Sequence, residues 1–267
     1  MRITGLWFYP VKGCRGVQAA EVRLSDKGIA GDREFVIVDD KGLFLTQRDV
    51  PELARIEALY RGNTLVLASD GRGELIVPLD QPGRQREVQV WSSRGTAADA
   101  GDDAALWLGR LLGRPVRLVR AGPQWQRAFS YEGQTGPLAF ADGYPLLMIS
   151  DASLADLNER LPEPVPMARF RPNIAVDGIA AYAEDTLAHA QHGGVVLRGV
   201  KKCVRCAVTT TDQMTGKRDE RSEPLRTLAR FRNDKALRGV TFGMNVSVSE
   251  GAGAMLRVGD TFEAVFR

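Results

Sequence analysis

The chain of 267 residues is 44% apolar and 26% charged, a composition typical of a folded globular protein and unlike that of disordered, collagen-like or coiled-coil chains. Its formal net charge of +3 is too small to predict nucleic-acid binding. No apolar run approaches the about 18 residues of a membrane span, and no secretory signal pattern precedes Pro10. We therefore expect a cytoplasmic protein that does not bind membranes.

Short strands dominate the prediction for the first third of the chain. Apolar and polar residues alternate there with the period of two that is typical of half-buried strands. The predicted strands are residues 2–8, 20–24, 34–38, 43–47, 56–60, 64–68, 74–78 and 87–91. Gly42 and Gly62 lie in turns that predict two hairpins, and strands spaced about ten residues apart indicate a sandwich or a barrel.

Three helices are predicted later in the chain. Residues 102–112 carry apolar side chains at helical spacing. A second helix is predicted at residues 151–161, with Ser150 as its N-cap. A third follows the N-cap Ser222 and a proline in the first turn, and it is expected to end near Arg232.

Residues 121–134 contain Gly, Pro and polar side chains with little periodicity, so we place the connection between two domains there. An N-terminal β domain would then span residues 1–120, and a C-terminal α+β domain residues 121–267. The predicted fold class is mainly β, or α+β.

The strongest single motif is the Cys-x-x-Cys pair of Cys203 and Cys206, flanked by Lys201, Lys202 and Arg205. Cations close to a thiol favour the thiolate, which is both the nucleophile and the metal ligand. If these cations face Cys206, a reactive thiolate is expected. If they do not, both cysteines are small apolar residues beside an edge strand. The Val-Thr-Thr-Thr run that follows predicts a strand.

Two other uses of these cysteines stay open. His189 and His192 precede the motif, so the four residues could bind zinc, although their order and spacing match no common zinc finger. A thiol–disulfide role is the second alternative, but redox motifs of this kind usually open a helix after a strand.

Cations and glycine or proline recur together at residues 9–16, 31–35 and 169–173. Backbone can approach a ligand closely at such positions, and arginine and lysine bind phosphate. Free N–H groups at the helix after Ser150 add further donors for an anion. These segments together predict a site for a phosphorylated, hydrogen-bonding cofactor.

Several motifs resemble those of one family. They are residues 9–16 (YPVKGCRG), 31–33 (GDR), 150–158, 170–173 (FRPN), 182–185 (YAED), 203–210 (CVRCAVTT) and 223–228. Their order and spacing are similar to those of MOSC-domain proteins that carry an N-terminal MOSC β-barrel domain. That group includes the mitochondrial amidoxime reducing component and bacterial reductases of N-hydroxylated bases. The resemblance implies a β-barrel-like domain at residues 1–120 and a MOSC β-barrel with a few peripheral helices at residues 121–267.

The resemblance also implies a cofactor site. The family binds the molybdenum cofactor, in which a pterin dithiolene holds the metal, and its metal-ligating cysteine matches Cys206. The expected cofactor contacts are Lys12, Gly13, Arg33, Asp142, Gly143, Tyr144, Arg171, Asn173 and Val204. Gly13 and Val204 stand where relatives can carry serine, so only their backbones can bind. Pyridoxal phosphate, which belongs to the wider superfamily, is not expected.

The implied function is reduction of N-hydroxylated compounds, such as hydroxylamines, amidoximes and N-hydroxylated bases, with a role in detoxification. Cys206 is the expected catalytic residue, as the ligand of molybdenum. No cysteine follows Cys206, so we expect no ferredoxin domain, and electrons must come from a separate flavin or iron–sulfur protein. The alternative is a protein that carries the cofactor or its sulfur without turnover, because a fold alone does not determine function.

Overall fold

The computed structural model describes residues 1–81 and 83–267, and strands form most of its regular structure. The strands are β1 (Arg2–Phe8), β2 (Val11–Lys12), β3 (Val17–Ala19), β4 (Glu21–Ser25), β5 (Gly28–Ile29), β6 (Phe35–Val38), β7 (Glu57–Arg61), β8 (Thr64–Ala68), β9 (Glu74–Pro78), β10 (Gln85–Val90), β11 (Ser93–Asp99), β12 (Arg117–Arg120), β13 (Ala128–Tyr131), β14 (Gln134–Pro137), β15 (Leu146–Ser150), β16 (Ile174–Asp177), β17 (Leu187–His192), β18 (Val195–Val204), β19 (Asn233–Asp234), β20 (Gly239–Glu250), β21 (Met255–Arg257) and β22 (Glu263–Phe266). The α-helices in these ranges are α1 (Asp102–Leu112), α2 (Asp151–Arg160) and α3 (Leu225–Ala229), and 3-10 helices lie at Pro51–Arg55, Met167–Phe170, Ala183–Thr186 and Ala207–Thr210. The predicted class, mainly β with a few helices, is confirmed.

The largest sheet joins both ends of the chain. Its strands follow the order β22-β17-β18-β20-β15-β16-β1-β3, and β19 pairs with β20. β1 is antiparallel to β16, with Leu6 opposite Ile174, and its other edge pairs with β3. The first strands of the chain therefore complete a sheet that is built mainly from its C-terminal half. Leu6, Ile174, Met244 and Val246 are fully buried in the apolar core of this sheet.

The strands between β5 and β13, together with β2, form two smaller sheets. A five-stranded sheet has the order β10-β11-β12-β6-β2, and β7, β8 and β9 form a three-stranded sheet. Phe35, Leu65, Leu108 and Leu118 bring both sheets and α1 into one apolar core. β1 belongs to the largest sheet and β2 to the five-stranded sheet, so the short link at Tyr9 and Pro10 carries the chain from one to the other. A domain boundary at residue 120 stays a prediction.

Two helices lie where the sequence predicts them. α1 covers residues 102–112 as predicted, buries Ala104 and Leu108, and ends at Gly113, whose φ of +66° suits a residue without Cβ. α2 begins after Ser150, whose Oγ accepts a hydrogen bond from the Ser153 N–H at 3.0 Å. This confirms the predicted N-cap.

Other predicted elements differ from the structure. Residues 43–47 make only single bridges, Val38 to Phe44 and Leu43 to Gln89, instead of a continuous hairpin strand. Trp91, predicted at the end of a strand, lies in the turn after β10. Residues 128–131 of the predicted connection form β13, which pairs with β14.

The Thr-rich run after Cys206 is not a strand but the 3-10 helix Ala207–Thr210. Thr209 Oγ1 donates to the Cys206 carbonyl at 3.0 Å, and Thr210 Oγ1 donates to the Ala207 carbonyl at 2.8 Å. These local bonds offset the strand propensity of β-branched residues. The third predicted helix is shorter than expected: it spans Leu225–Ala229 and follows Pro224 instead of a Ser222 cap.

None of the helices in residues 1–81 and 83–267 is long and apolar enough to cross a membrane.

Candidate functional site

A cavity of about 280 Å³ lies between residues of the largest sheet and of the five-stranded sheet. Its volume is near the lower end of the range for small-molecule pockets. The ten residues that the family resemblance assigns to the cofactor all line it: Lys12, Gly13, Arg33, Asp142, Gly143, Tyr144, Arg171, Asn173, Val204 and Cys206. The fold thus brings together residues that the sequence separates by up to 194 positions, from Lys12 to Cys206.

The cavity wall is strongly cationic. Five basic residues line it, namely Lys12, Arg33, Arg48, Arg171 and Arg205, whereas Asp142 is the one acidic residue among its lining. Opposite charge favours binding of an anion in such a pocket. Arginine can bind phosphate with two parallel hydrogen bonds, and lysine acts as a point charge.

The Tyr9 ring organises two of these arginines. The guanidinium carbon of Arg33 lies 4.2 Å from the ring centroid, and that of Arg171 lies 4.3 Å from it. Tyr9 Oη donates to the Pro172 carbonyl at 2.8 Å, which fixes the ring. Burial raises the pKa of Tyr9 to about 12 although both arginines oppose this shift. Tyr9 is therefore a neutral spacer that holds two cations on either side of one ring.

A buried network fixes Arg33. Its Nη1 donates to Asp32 and, at 3.0 Å, to the Asn173 side-chain oxygen. The same Asn173 oxygen accepts the Leu147 N–H at 3.2 Å, and the Asn173 amide nitrogen donates to Asp32 and to the Trp7 carbonyl, both at 3.2 Å. The hydrogen-bonding groups of the Asn173 side chain are thus already satisfied by the protein. Asn173 is placed to orient Arg33.

Arg171 is largely buried and has no carboxylate partner in the described part of the chain. Its Nη1 donates to the Cys14 carbonyl at 2.7 Å and to Gln213 Oε1 at 2.8 Å. Burial lowers the pKa of this guanidinium. An anionic ligand in the cavity would supply the counter-charge that the protein does not.

Lys12 and Asp142 form an ion pair across the cavity, with 2.5 Å between Nζ and Oδ1. Burial lowers the pKa of the Lys12 ammonium, and Asp142 partly offsets that shift. Desolvation opposes ionisation of Asp142, but Lys12 and then Arg33 and Arg171 outweigh it, so the pKa of this carboxyl lies well below its ordinary value. Arg127 donates to the backbone carbonyls of Ala141 and Asp142 and so fixes the backbone of this segment.

Cys206 is exposed and stands directly before the 3-10 helix Ala207–Thr210. The flanking cations pair elsewhere: Arg205 donates to Cys203 Sγ at 3.0 Å, Lys202 pairs with Asp234, and Lys201 lies 4.7 Å from the Tyr131 ring. The condition that these three cations face Cys206 is therefore not met. Apart from Arg205, the basic residues that line the cavity are distant from Cys206 in sequence: Lys12, Arg33, Arg48 and Arg171.

The zinc and redox alternatives find no support in the geometry. His192 Nδ1 lies 2.9 Å from the Thr261 carbonyl oxygen, at the end of β17. The described ranges contain no group of three or more His, Cys, Asp or Glu residues placed to hold a metal ion. Cys203 lies within β18, so the Cys-x-x-Cys pair does not open an α-helix.

Comparison with known proteins decides the family. The model of the MOSC N-terminal beta barrel domain matches residues 1–115, and that of the MOSC domain matches residues 135–263. Mitochondrial amidoxime-reducing component 1 of Mus musculus is 34% identical over 97% of this chain and 80% of that protein. Mitochondrial amidoxime reducing component 2 of Homo sapiens is 33% identical over 97% of this chain and 82% of that protein.

This chain belongs to the MOSC family. The resemblance inferred from its motifs is confirmed, as is a fold made of the family's two β-barrel-type domains. Molybdenum cofactor sulfurase of Danio rerio is also similar, at 30% identity over 91% of this chain and 31% of that longer protein. A function associated with the molybdenum cofactor follows at the level of the family.

The donor set of the cavity fits the cofactor of this MOSC family. It offers an exposed thiol as a soft sulfur ligand for a metal, three mostly buried cations for phosphate, and little negative charge. Gly13 adopts a φ of +84°, which favours glycine, and a Cβ there would lie 3.2 Å from Leu53 Cδ1. A Cβ at Gly143 would meet no atom within 4 Å, so the backbone at Gly143 borders open space. Tyr144 packs against Phe129 in a tilted arrangement, with 5.6 Å between ring centroids, and forms an aromatic side wall.

Several further lining residues were not predicted from the sequence, among them four in two loops: Thr46, Gln47, Arg48 and Trp91. Gln47 Nε2 donates to Gln213 Oε1 at 3.0 Å, and Gln213 Nε2 donates back to Gln47 Oε1 at 2.9 Å; Gln47 also binds the Gly13 carbonyl at 2.7 Å. Gln213 in turn binds Arg171, although only Gln47 itself lines the cavity. Thr46, Arg48 and Trp91 complete this side of the wall. No local motif marks these residues, because their contacts join loops that are distant in sequence.

Proposed function

We propose that this protein reduces N-hydroxylated compounds with a bound molybdenum cofactor, in the cytoplasm and as part of detoxification. One observation carries the proposal: a single cavity joins the exposed Cys206 to five basic side chains and one acidic side chain. The names of the relatives support the reaction class, since two of them are amidoxime-reducing components. The overall reaction consumes two electrons and two protons, breaks the N–O bond, and yields the amine and water.

Cys206 would ligate molybdenum through its thiolate, as soft sulfur ligands do. Lys12, Arg33 and Arg171 would bind the phosphate end of the cofactor, since they supply the buried positive charge. The backbones of Gly13 and Val204 would approach the cofactor closely. The bound group would supply the two-electron redox chemistry, and the protein would orient the group and tune its electrostatics.

The remaining site residues would position the side chains that contact the cofactor. Asn173 holds Arg33 in position through its side-chain oxygen. Asp142 holds the Lys12 ammonium, and Gly143 and Tyr144 shape the adjoining wall. We further propose that a separate flavin or iron–sulfur protein donates the electrons that the reduction consumes.

The test compares cysteine variants made in a host that synthesises the molybdenum cofactor. Cys206→Ser is expected to lose bound molybdenum and all reduction of benzamidoxime by a chemical electron donor. Cys203→Ser keeps a hydrogen-bond acceptor for Arg205 and is the matched control, so it is expected to retain metal near one per chain. Full activity in Cys206→Ser, or loss only in Cys203→Ser, would contradict the assignment of Cys206.

A second candidate function is a carrier of the cofactor or of its sulfur. The similarity to molybdenum cofactor sulfurase favours it, since that relative matches 91% of this chain. A carrier is expected to show a persulfide on Cys206 by mass spectrometry and no turnover of any N-hydroxylated compound. A reductase is expected to consume its electron donor when such a compound is added.

A further inference from the structure

Two glutamine side chains form a reciprocal amide pair beside the cavity. Gln47 Nε2 donates to Gln213 Oε1 at 3.0 Å, and Gln213 Nε2 donates back to Gln47 Oε1 at 2.9 Å. Gln47 is 1% exposed and Gln213 is 7% exposed, although glutamine is mostly a surface residue. Burial of polar groups costs free energy unless they are hydrogen-bonded, and apolar side chains of similar size would fill the same space without that cost. We therefore expect the pair to have a use other than packing.

The other hydrogen bonds of the pair fix the direction in which each amide faces. Gln47 Nε2 also donates to the Gly13 carbonyl at 2.7 Å. Gln213 Nε2 also donates to the Thr211 carbonyl at 3.0 Å, and Gln213 Oε1 accepts a second hydrogen bond from Arg171 Nη1 at 2.8 Å. Because arginine has no acceptor, the oxygen of Gln213 and not its nitrogen must face Arg171. All four side-chain N–H groups of the pair are then bonded within the protein, and none is left for a ligand.

Arg171 is anchored through one of its three side-chain nitrogens. Nη1 donates to Gln213 and, at 2.7 Å, to the Cys14 carbonyl, which uses both of its hydrogens. The Nε and Nη2 groups make no hydrogen bond within residues 1–81 and 83–267, and Arg171 lines the cavity. These two groups form the edge of a guanidinium that can bind a phosphate with two parallel hydrogen bonds. Gln213 is absent from the described cavity lining, so it can act on a ligand only through Arg171.

The backbones of the two glutamines are also held, so the pair joins two loops that are 166 positions apart. Arg218 donates to the Gln47 carbonyl at 2.6 Å, and Arg15 donates to the Gln213 carbonyl at 3.2 Å. A neutral amide oxygen can fix a guanidinium without cancelling its charge, whereas a carboxylate would form an ion pair with it. The loops thus hold Arg171 in one orientation and leave its charge for a ligand.

We propose that Gln213 is a positioning residue, itself oriented by Gln47, which directs the Nε and Nη2 edge of Arg171 toward a phosphate group in the cavity. Gln213 fixes the guanidinium through Nη1, and the reciprocal bonds from Gln47 keep the Gln213 amide from turning over. This inference rests on the proposed function, because the phosphate is that of the cofactor, and it adds a buried pair of positioning residues to the site.

The experiment measures binding of inorganic phosphate to the full chain, made without cofactor in a host that cannot synthesise it. The midpoint of thermal denaturation is followed against phosphate concentration at constant ionic strength, which gives the Kd even for weak binding. Gln213→Met keeps most of the side-chain volume and removes its polar atoms. We expect it to weaken phosphate binding about tenfold, since a hydrogen bond to a charged group is lost. Gln47→Met leaves the bond between Gln213 and Arg171, so we expect a weakening of about threefold.

A double-mutant cycle distinguishes positioning from a purely structural role. Arg171→Gln removes the group through which Gln213 acts, so the addition of Gln213→Met should then weaken phosphate binding less than twofold further. Gln134→Met is the matched control: Gln134 is half-buried, donates to the Gly199 carbonyl at 3.2 Å and lies outside the cavity lining, so we expect a change below twofold. Equal weakening by Gln213→Met with and without Arg171, or no weakening in the wild-type background, would overturn the proposal.

This measurement needs no turnover, so it separates the inference from the proposed function. If Gln213→Met weakens phosphate binding as expected and no N-hydroxylated compound is reduced, the proposed function fails and the positioning role stands. If phosphate does not bind the wild-type protein, the positioning role is wrong even in an active reductase. Should Gln213→Met fail to fold, Gln47→Met and its combination with Arg171→Gln provide the same cycle.

Discussion

At the scale of single residues, the cavity contains a guanidinium, that of Arg171, which no carboxylate in the described part of the chain neutralises. Arg171 is largely buried with only a carbonyl and an amide oxygen as partners, and it shares the Tyr9 ring with a second largely buried cation, Arg33. Burying a charge without a counter-ion costs free energy unless a ligand neutralises it. Arg171 should therefore contribute to ligand binding and not to the stability of the empty protein.

Replacing Arg171 is therefore expected to affect the stability of the cofactor-free protein and the binding of the cofactor differently. Arg171→Gln is expected to leave the free energy of unfolding of cofactor-free protein unchanged or higher. It should weaken cofactor retention roughly tenfold to a hundredfold, since hydrogen bonds to charged groups contribute about 1.5–3 kcal/mol. Thermal denaturation and the pterin and molybdenum content of purified protein measure the two effects.

Arg169→Gln is the matched control. Arg169 pairs with Asp212, with 3.1 Å between Nη2 and Oδ2, and does not line the cavity. This variant is expected to lose stability and to keep its cofactor. If Arg171→Gln destabilised the cofactor-free protein as strongly as Arg169→Gln, Arg171 would have a structural role instead.

The motifs indicated most of these site residues but not what they touch. Cations beside Gly and Pro at Lys12, Arg33 and Arg171 predicted an anion site from local pattern alone. The use of the Asn173 amide by Arg33, Asp32 and Leu147 could not be predicted, because it depends on contacts between distant strands. Trp91 was assigned to a strand because its aromatic side chain favours one, and nothing local marks its turn geometry.

At the scale of elements, Asp99 connects the end of β11 to the start of α1. Its side chain is 3% exposed and accepts hydrogen bonds from Arg117, at 2.7 and 2.8 Å, from Arg86, and from the Gly101 N–H at 2.8 Å. Desolvation opposes ionisation, but the hydrogen bonds from Arg117 and Arg86 lower the pKa of Asp99 below its ordinary value. The ion pairs thus fix both the sheet edge and the helix that follows.

A depressed pKa stabilises the fold above the pKa of the unfolded state, about 3.9 for an aspartate, and this stabilisation is lost as the pH falls through the folded-state value. Asp99→Asn is therefore expected to lower the free energy of unfolding by about 2–4 kcal/mol at pH 7, with a smaller loss below about pH 4. Denaturant titrations at both pH values measure the difference.

Asp102→Asn removes an exposed partner of the same Arg117, since the Asp102 side chain is 96% exposed. We expect the free energy of unfolding to change by less than about 0.5 kcal/mol, as for most surface ion pairs. A loss of stability at Asp99→Asn that did not depend on pH would show that its packing matters and its charge does not.

Helices with strong sequence signals were predicted well, whereas the 3-10 helix Ala207–Thr210 was not. α1 has both apolar spacing and Gly113 as a stop, and α2 has the Ser150 cap. The segment Ala207–Thr210 has the composition of a strand, but its threonine hydroxyls bond to carbonyls three residues earlier and close a 3-10 turn. Local propensity therefore gave the wrong element directly beside Cys206.

At the scale of the whole molecule, the two halves of the chain are bound to each other by strands and by loops. β1 and β3 pair within the largest sheet, and β4 pairs with β21. Arg15 donates to the Gln213 and Met214 carbonyls at 3.2 and 2.9 Å. These long-range pairings are invisible to periodicity, so the predicted domains at residues 1–120 and 121–267 carry no information about them.

The interleaving predicts that residues 121–267 do not fold alone. This fragment lacks β1 and β3, so β16 would expose an unpaired apolar edge. We expect no cooperative unfolding transition for the fragment, whereas the full chain should unfold in one transition. Circular dichroism melts measure both.

Addition of residues 1–120 as a second chain is the control, and it is expected to restore a cooperative transition. A separate, reversible transition of fragment 121–267 would show instead that the C-terminal part is an independent domain.

Because β1 pairs with a strand that is distant in sequence, the largest sheet can form only late in translation. β1 leaves the ribosome first, but β16 begins at Ile174, so at about 5–20 residues per second the first strand waits roughly 10–30 s for its neighbour. Cys206 is translated later still, and β20, which lies at the centre of the sheet, follows it. The cavity walls therefore meet only after Asn245 has been translated, so any ligand of this cavity must arrive after that point of synthesis.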